Sequence, residues 1–125
     1  MEEASAATQT VELEPAKPEA TFDDFQKLDI RIATILEAEK VRKTKKLLKL
    51  KVDTGSEERT VVSGIAEFYS PEEIIGKQVC LLANLAPRAI KGIESQGMIL
   101  MAESPDGTLS FVLPNEAVTN GSTVS

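Results

Sequence analysis

The segment KLDIRIATILEAEKV, residues 27–41, places the strongest constraint on the fold of this chain. Apolar and polar residues alternate across residues 28–32, and the alternation then shifts by one position to Ala33 and Ile35. Alternation of this kind is typical of a β-strand with one buried face. A shift within one strand is what a bulge or sharp bend produces, as at the corners of small barrels. We therefore predict a long, bent first strand.

Shorter strand patterns follow along the chain. LKLKVD alternates with its leucines and valine inward and its lysines outward, and TVVSGI is a third short strand. Two more patterns cover residues 78–85 and residues 97–103, and the SPDGT turn leads into a last strand, LSFVL.

Two helix starts can be recognised from their capping residues. Ser70-Pro71-Glu72-Glu73 has the residue types of a capping box with proline at the first helical position, and its short helix would end near Gly76. Thr21 followed by Asp23 and Asp24 predicts a short capped turn or helix ahead of the first strand. Five or six short strands with one helix between the third and fourth favour an all-β fold, a small closed barrel. The five-stranded OB-fold has this layout.

The chain is long enough for one domain preceded by an acidic leader. Its 125 residues carry a net charge of −6, of which residues 1–20 contribute −4. This first stretch has few large apolar residues, so we expect a disordered leader or linker, with the folded domain over residues 21–125. We find neither a signal peptide nor a membrane span. A single cysteine, Cys80, favours a reducing compartment and so the cytoplasm.

The sequence gives little support for a catalytic site. The chain contains no histidine, which excludes histidine-based triads and zinc sites. Cys80 lies inside an apolar strand pattern, where a thiol is usually a small buried hydrophobe. The glycines fit no phosphate-binding or dinucleotide-binding motif. We therefore expect no catalytic residue, no metal site and no cofactor.

A basic segment lies between the first and second strands. Residues 40–51, KVRKTKKLLKLK, hold seven lysines and arginines and no acid. Such a run can be a solvated loop, but oligonucleotide-binding barrels commonly use this loop and strand. The folded part is nearly neutral overall, so a clustered basic stripe favours binding of an anionic polymer. The basic residues are Lys40, Arg42, Lys43, Lys45 and Lys46 in the loop, and Lys49 and Lys51 on the strand.

The matching segment after the fourth strand is NLAPRAIKGIESQGMIL, residues 84–100. Its Arg88 and Lys91 can reach phosphates, and its glycines permit unusual backbone angles and close approach of a ligand. On composition alone, a glycine-containing connector with incidental charges remains an equal alternative. The neutral groups that can bond phosphate, ribose or base edges are Asn84, Ser95 and Gln96.

Three segments resemble the tRNA-binding domain at the C-terminus of many bacterial methionyl-tRNA synthetases: KLDIRIATILEAE, KLLKLKVDTGSEERTVVSGIAEFYSPEEIIGKQV and NLAPRAIKGIESQGMIL. Free-standing small tRNA-binding proteins and cofactors of the endothelial monocyte-activating polypeptide type contain the same module. The resemblance covers about residues 22–125 and is most specific in VSGI and in the motif N-L-x-P-R-x-x-x-G-x-x-S-x-G-M. The family commonly has a lysine after its Pro-Arg pair, where this chain has Ala89, so the local charge falls to Arg88 and Lys91.

The resemblance implies an OB-fold barrel with flanking elements that form a homodimer, and non-catalytic binding of tRNA by its outer shape. The chain would raise the tRNA affinity of a methionyl-tRNA synthetase, as its C-terminal dimerising domain or in trans. We expect a fragment of such a ligase without its catalytic domain. The motif surface carried over is Asn84, Arg88, Ser95 and Met98, with Ser63 and Gly64 nearby, although Met98 opens an apolar strand and could pack inward. Charge and hydrogen-bonding capacity add Lys43, Lys45, Lys46, Lys91 and Gln96 to the predicted RNA-binding residues.

Two alternatives stay open at the level of sequence. The first is the CsaA type of secretion-associated chaperone, which has a similar dimeric barrel. Resemblance to that family would imply binding of unfolded or exported polypeptides. This sequence keeps VSGI and the SQGM run, which are more similar to the synthetase-associated branch. The second alternative is a purely structural dimerisation module.

Overall fold

The computed structural model describes residues 12–125, and strands dominate this part of the chain. The two short helices are α1 (Phe22–Gln26) and α2 (Pro71–Ile74). The strands are β1 (Ile30–Lys40), β2 (Leu48–Asp53), β3 (Glu58–Ser63), β4 (Gln78–Leu82), β5 (Arg88–Ile90), β6 (Ile93–Ser95), β7 (Met98–Ile99), β8 (Met101–Glu103) and β9 (Leu109–Phe111).

A curled antiparallel sheet of five strands, in the order β3-β2-β1-β4-β7, forms the body of the molecule. The helix α2 lies between the third and fourth strands of the chain, so the predicted all-β, OB-like architecture is confirmed. β1 pairs with β4 through its first half and with β2 through its second half. The pairing register shifts between Ile35 and Glu37, which confirms the irregularity predicted from the shift in alternation. This shift lets one long strand serve two neighbours as the sheet curls.

The caps predicted for both helices are present. The Thr21 hydroxyl oxygen accepts a hydrogen bond from the Asp24 N–H, and the Asp24 carboxylate accepts one from the Thr21 N–H, both at 3.1 Å. At α2 the Glu73 carboxylate accepts from the Ser70 N–H at 2.7 Å, and Gly76 (φ 93°) follows the last turn. These bonds satisfy backbone donors that a helix start leaves unpaired.

The core lies inside the curl of the sheet. In β2, buried and half-buried residues alternate strictly, as the sequence predicts. Full burial of one such aliphatic side chain contributes about 1.5–3 kcal/mol relative to leaving it exposed. The fully buried large side chains include Ile35, Leu48, Leu50, Val52, Val61, Ile65, Ile74, Val79 and Leu81.

The strand predicted over residues 97–103 serves two sheets. β7 pairs with β4, the Leu100 N–H donates to the Cys80 carbonyl at 2.9 Å, and β8 then turns away to pair with β9. The fourth and last strands also end earlier than predicted, at Leu82 and Phe111. Alternation locates an extended segment, but it does not reveal a change of partner within that segment.

The C-terminal residues 118–124 form a strap along the free edge of β1. Ile32 exchanges two backbone hydrogen bonds with the strap, donating to Ser122 at 2.9 Å and accepting from Gly121 at 2.7 Å. The Gln78 side-chain amide fixes the start of the strap through the N–H and carbonyl of Val118. Because β1 has its β2 partner only in its second half, the strap completes the sheet beside its first half.

The predicted acidic leader, residues 1–20, falls partly outside the described residues, which begin at residue 12. Residues 12–20 form neither helix nor strand and are exposed. No helix within residues 12–125 is both long enough and apolar enough to cross a membrane.

Candidate nucleic-acid interface

The loop between β1 and β2, residues 41–47, exposes most of the basic run. Val41 is buried and anchors the loop, and its N–H donates to the Leu47 carbonyl at 3.2 Å. The Thr44 hydroxyl donates back to the Val41 carbonyl at 2.8 Å, which tightens the turn. With the apolar anchor directed inward, the basic side chains point to solvent. The exposed ones are Arg42, Lys43, Lys45 and Lys46.

The segment expected to be a connector between two strands folds as a β-hairpin, β5–β6. Arg88 pairs with Ser95 and Ile90 with Ile93, so Lys91 and Gly92 form a two-residue turn. Both turn residues have positive φ, 52° and 81°, as the tight hairpin turn that matches strand twist requires. The signal in the sequence was glycine at the second turn position between two isoleucines, but lysine replaces the asparagine or aspartate that usually precedes it.

The hairpin tip brings Lys91 to the basic loop. A cavity of about 290 Å³, which we call the basic cleft, is lined by Lys91 together with Lys40, Arg42 and Lys49. Glu39 also lines the cleft and forms an ion pair with Lys49 at 3.8 Å. Two stretches about 40 positions apart therefore combine into one surface of positive charge, with Lys91 as the link.

Cross-strand ion pairs neutralise part of the basic run. Lys49 pairs with Glu39, and Lys51 pairs with Glu58 at 3.9 Å. The sequence run contains no acid, so its order alone hid these partners on neighbouring strands. Within residues 12–125, the remaining basic residues of the loop and hairpin make no ion pair. They are Lys40, Arg42, Lys43, Lys45, Lys46, Arg88 and Lys91.

Three of the predicted RNA-binding residues use their side chains within the fold. The Asn84 amide accepts from the Asp29 N–H at 2.8 Å and donates to the Lys27 carbonyl at 2.6 Å, so it fixes the approach to β1. Ser95 is only 2% exposed, and its hydroxyl oxygen accepts from the Val62 N–H at 2.9 Å. In this structure the side chains of Asn84 and Ser95 bond backbone groups of the fold and hold neighbouring segments in place.

Gln96 closes the curled sheet beside the hairpin. Its N–H donates to the Thr60 carbonyl at 2.8 Å, and its side-chain oxygen accepts from the Thr60 N–H at 3.3 Å. The next residue, Gly97 (φ 120°), passes so close to β4 that an added Cβ would lie 2.9 Å from the Leu82 carbonyl oxygen. Glycine is required at residue 97 for this packing within the fold, whereas the sequence suggested close approach of a ligand.

The remaining predicted residues surround a second, mainly apolar cavity of about 460 Å³, which we call the apolar cup. Met98 is 44% exposed at its wall, so the alternative in which this side chain packs into the core is wrong. Arg88, Ser63 and Gly64 line the same cavity. The structure thus separates two groups, because Lys43, Lys45 and Lys46 line neither the cup nor the basic cleft within residues 12–125.

Neither cavity has a cluster suited to metal binding among the residues that the structure describes. Within residues 12–125 no three histidine, cysteine or carboxylate side chains are grouped as metal ligands would be. Cys80 is 5% exposed in β4, and burial raises the pKa of its thiol, which keeps it in the unreactive neutral form. The cations of the basic cleft suit phosphate, and the lining of the cup suits an apolar group.

A family model described as a putative tRNA-binding domain matches residues 30–123. The chain belongs to this family. The match contains the whole five-stranded sheet, the basic loop, the β5–β6 hairpin and nearly all of the strap, so it covers every strand and α2 but not α1.

Curated relatives of this tRNA-binding domain include the methionine–tRNA ligase of Cytophaga hutchinsonii, which is 66% identical over 113 residues. That alignment covers 90% of this chain but only 16% of the ligase, so the chain spans about one sixth of the length of such relatives.

Solved structures with the same fold include a MetRS-related protein from Pyrococcus horikoshii. It is 41% identical, with a TM-score of 0.83, and the match covers 87% of this chain and 100% of that one. The chaperone CsaA from Bacillus anthracis is 29% identical with a TM-score of 0.79, over 86% of this chain and 100% of that one.

Proposed function

We propose that this domain binds tRNA without catalysing a reaction, and that it thereby raises the affinity of a methionyl-tRNA synthetase for tRNA. The observation that carries the proposal is the basic cleft, in which Lys91 of the hairpin joins Lys40, Arg42 and Lys49. Cations grouped in this way neutralise several phosphates at once and release condensed counterions, which drives binding of nucleic acid. The contacts recognise the backbone and its shape, so we expect weak dependence on sequence.

The predicted residues divide into contacts and supports. Arg88 and Lys91, with Lys43, Lys45 and Lys46 on the adjacent loop, reach phosphates from exposed positions. Asn84, Ser95 and Gln96 hold the hairpin and the start of β1 in place through the hydrogen bonds described above. Ser63 and Met98 belong to the apolar cup.

We infer that the domain works as the C-terminal part of a longer cytoplasmic ligase, or beside one in trans. The small share of each ligase that the chain covers supports this, because the catalytic body would occupy the remainder. Aminoacylation kinetics test the role: removal of the domain should raise the KM for tRNA and leave kcat nearly unchanged. A lower kcat at saturating tRNA would contradict a role in capture alone.

We also infer that two copies pair through elements that flank the barrel. The helix α1 buries none of its residues, and Phe22, Phe25 and Leu28 leave apolar surface exposed, Phe22 by 70%. Exposed apolar patches of this kind mark interaction sites. Pairing would add avidity by presenting two basic clefts to one tRNA. Sedimentation equilibrium measures this directly, and a monomer mass at micromolar concentration would exclude the dimer.

Titration of tRNA across a salt series tests the binding proposal. For the unmodified domain, log Kobs should fall linearly with log salt, with a slope of about −0.7 to −0.9 per phosphate contact. The double variant Arg42→Ala/Lys91→Ala should bind more weakly and show a slope shallower by about one to two, since two contacts are lost. Lys77→Ala, on the α2–β4 connection, removes one positive charge outside the cleft and should change neither value. A flat salt response, or an unchanged slope in the double variant, would refute the cleft.

The second candidate function is binding of unfolded polypeptide. The open apolar cup favours it, because it could take an apolar side chain, and the similarity to a CsaA chaperone points the same way. A competition experiment separates the two. If an unfolded polypeptide displaces tRNA at physiological ionic strength and binds more tightly than tRNA, the chaperone assignment replaces the tRNA assignment.

A further inference from the structure

The apolar cup and the basic cleft share the β5–β6 hairpin. Arg88 and Ile90 of the hairpin line the cup, whereas Lys91 and Ile93 line the cleft. The two cavities are therefore separated by only a few residues of one hairpin. An RNA strand whose phosphates occupy the cleft would contact the same hairpin that lines the cup.

The walls of the cup suit a flat apolar group. Met98 is 44% exposed and Leu85 is 39% exposed, so both present apolar surface to the opening. The cavity volume of about 460 Å³ lies within the range of small-molecule sites. The faces of a nucleobase are apolar, and a thioether such as that of Met98 packs well against aromatic rings.

The charges at the cup distinguish a nucleotide from a simple apolar ligand. Arg88 lines the cup and makes no ion pair within residues 12–125, so its guanidinium is available to a phosphate. Arginine binds phosphate in bidentate fashion and also stacks on aromatic planes. Arg88 beside the apolar cup therefore matches a ligand that has a negative phosphate next to a flat apolar ring.

Glu103 gives the cup a preference among the bases. Its carboxylate lines the cavity and makes no ion pair within the described part of the chain. An ionised carboxylate only accepts hydrogen bonds, so it pairs with the exocyclic amino groups of cytosine, adenine or guanine. Uracil has no exocyclic amino group, and its one ring donor, the N3–H, lies between two carbonyl oxygens that the carboxylate repels.

We propose that the apolar cup takes one unstacked, amino-bearing nucleobase of the RNA whose phosphates lie in the basic cleft. The inference rests on the proposed function and adds a base-binding subsite to it. The domain would thus favour RNA with an accessible unpaired base over a continuous duplex, although both satisfy the cleft.

Filling the cup provides the test. Gly64 lines it with a φ outside the left-handed region, and a Cβ added there meets no atom within 4 Å, so Gly64→Leu adds bulk at the cup without a backbone clash. We expect Gly64→Leu to weaken tRNA binding about tenfold, within the range measured for loss of one base stack. Binding of a blunt RNA duplex and the salt slope should stay unchanged. Ala117→Leu adds similar bulk at an exposed position away from both cavities and serves as the matched control.

The outcomes separate this inference from the proposed function. If Gly64→Leu binds tRNA as the unmodified domain does, the base subsite is refuted while the basic cleft stands. If the cleft double variant Arg42→Ala/Lys91→Ala leaves binding unchanged, the proposed function itself fails. If Gly64→Leu abolishes binding of an unfolded polypeptide and leaves tRNA binding intact, the cup belongs to polypeptide and the inference is overturned.

A second pair of variants tests the chemistry of the cup on folded protein. Met98→Ala removes an exposed wall, so it should preserve the fold and weaken binding of short oligocytidylate severalfold. The unmodified domain should prefer oligocytidylate to oligouridylate of equal length, and Glu103→Gln should reduce that preference, because an amide can donate as well as accept. Equal binding of the two oligomers by the unmodified domain would contradict the role of Glu103.

Discussion

At the scale of single residues, the Cys80 thiol illustrates how burial sets chemistry. It lies in β4 with 5% exposure, and burial raises its pKa above the ordinary value of 9.0. The folded chain therefore keeps the thiol neutral at a pH where the unfolded chain ionises it. Ionisation then favours the unfolded state as the pH rises above 9.0, whereas below that value both states hold the proton and stability is unaffected.

We predict that Cys80 makes the free energy of unfolding fall with rising pH above 9.0. Urea unfolding at neutral pH and above 9.0, compared between the unmodified domain and Cys80→Ala, measures this. The variant should lose about 1 kcal/mol at neutral pH from poorer packing but show a shallower decline at high pH. Identical slopes would show that the thiol titrates alike in both states. The other titrating groups are common to both proteins and cancel.

The roles of single motif residues could be predicted only in part. The sequence identified Asn84, Ser95 and Gln96 as polar residues in a specific segment, which led to a prediction of RNA contacts. The backbone groups that they bond on other elements lie 33 to 57 positions away, and no periodicity relates them. A polar side chain that satisfies a backbone group inside the fold therefore has the same sequence pattern as one that awaits a ligand.

At the scale of elements, the β5–β6 hairpin places Lys91 at the basic cleft while contributing little to the core. It forms a two-stranded sheet of its own, separate from the five-stranded sheet. Of its six strand residues only Ser95 is buried. Its turn can therefore be altered with small effect on global stability, although the position of Lys91 depends on it.

We predict that Gly92→Val weakens tRNA binding severalfold and lowers the melting temperature by no more than several degrees. Gly92 has φ 81° with open space around an added Cβ, so the only cost is a left-handed backbone at a β-branched residue, roughly 1–2 kcal/mol. Because the hairpin turn must rearrange, Lys91 leaves the basic cleft. Calorimetry and tRNA titration on the same sample measure both effects.

Gly55→Ala is the contrasting variant. An added Cβ there would lie 2.4 Å from the Asn120 carbonyl oxygen of the C-terminal strap, so this change should lower the melting temperature. A large stability loss in Gly92→Val, or unchanged tRNA binding, would contradict the division between a stable body and a functional hairpin.

Element prediction succeeded where the pattern was long and failed where it was short. β1 and β2 alternate over many residues, and the capping boxes mark both helices, so the body of the fold could be predicted. The strands β5 to β9 have two or three residues each, too few for periodicity to identify. The change of sheet partner at Leu100 depends on tertiary pairing rather than on local sequence preference. Leu100 still donates to the Cys80 carbonyl of β4, and the next residue already pairs with β9.

At the scale of the whole molecule, the C-terminal strap ties the end of the described chain to the five-stranded sheet. It pairs with the first half of β1, while the exposed helix α1 precedes the same strand. Deleting the strap would therefore uncover an edge of β1, and a longer C-terminal deletion that included Phe111 would also remove a core side chain, so truncation confounds dimerisation with folding. Point substitutions on the exposed apolar face of α1 test pairing more cleanly.

The net charge of −6 disguises how the surface is organised. Cations that make no ion pair within residues 12–125 are concentrated on the basic loop and the hairpin, whereas two of the lysines on β2 are matched by glutamates of its neighbours. Binding to a polyanion depends on this local field rather than on the net charge. We therefore propose that RNA binds at the basic cleft, where Lys91 lies beside Lys40 and Arg42.

Acetylation of lysines with and without saturating tRNA, read out by mass spectrometry, tests that claim most directly. The account predicts that tRNA protects Lys40 and Lys91 together, because both line the basic cleft, and leaves Lys77 as reactive as in the free domain. Full reactivity of Lys40 and Lys91 in the complex, or protection centred on Lys77, would contradict it.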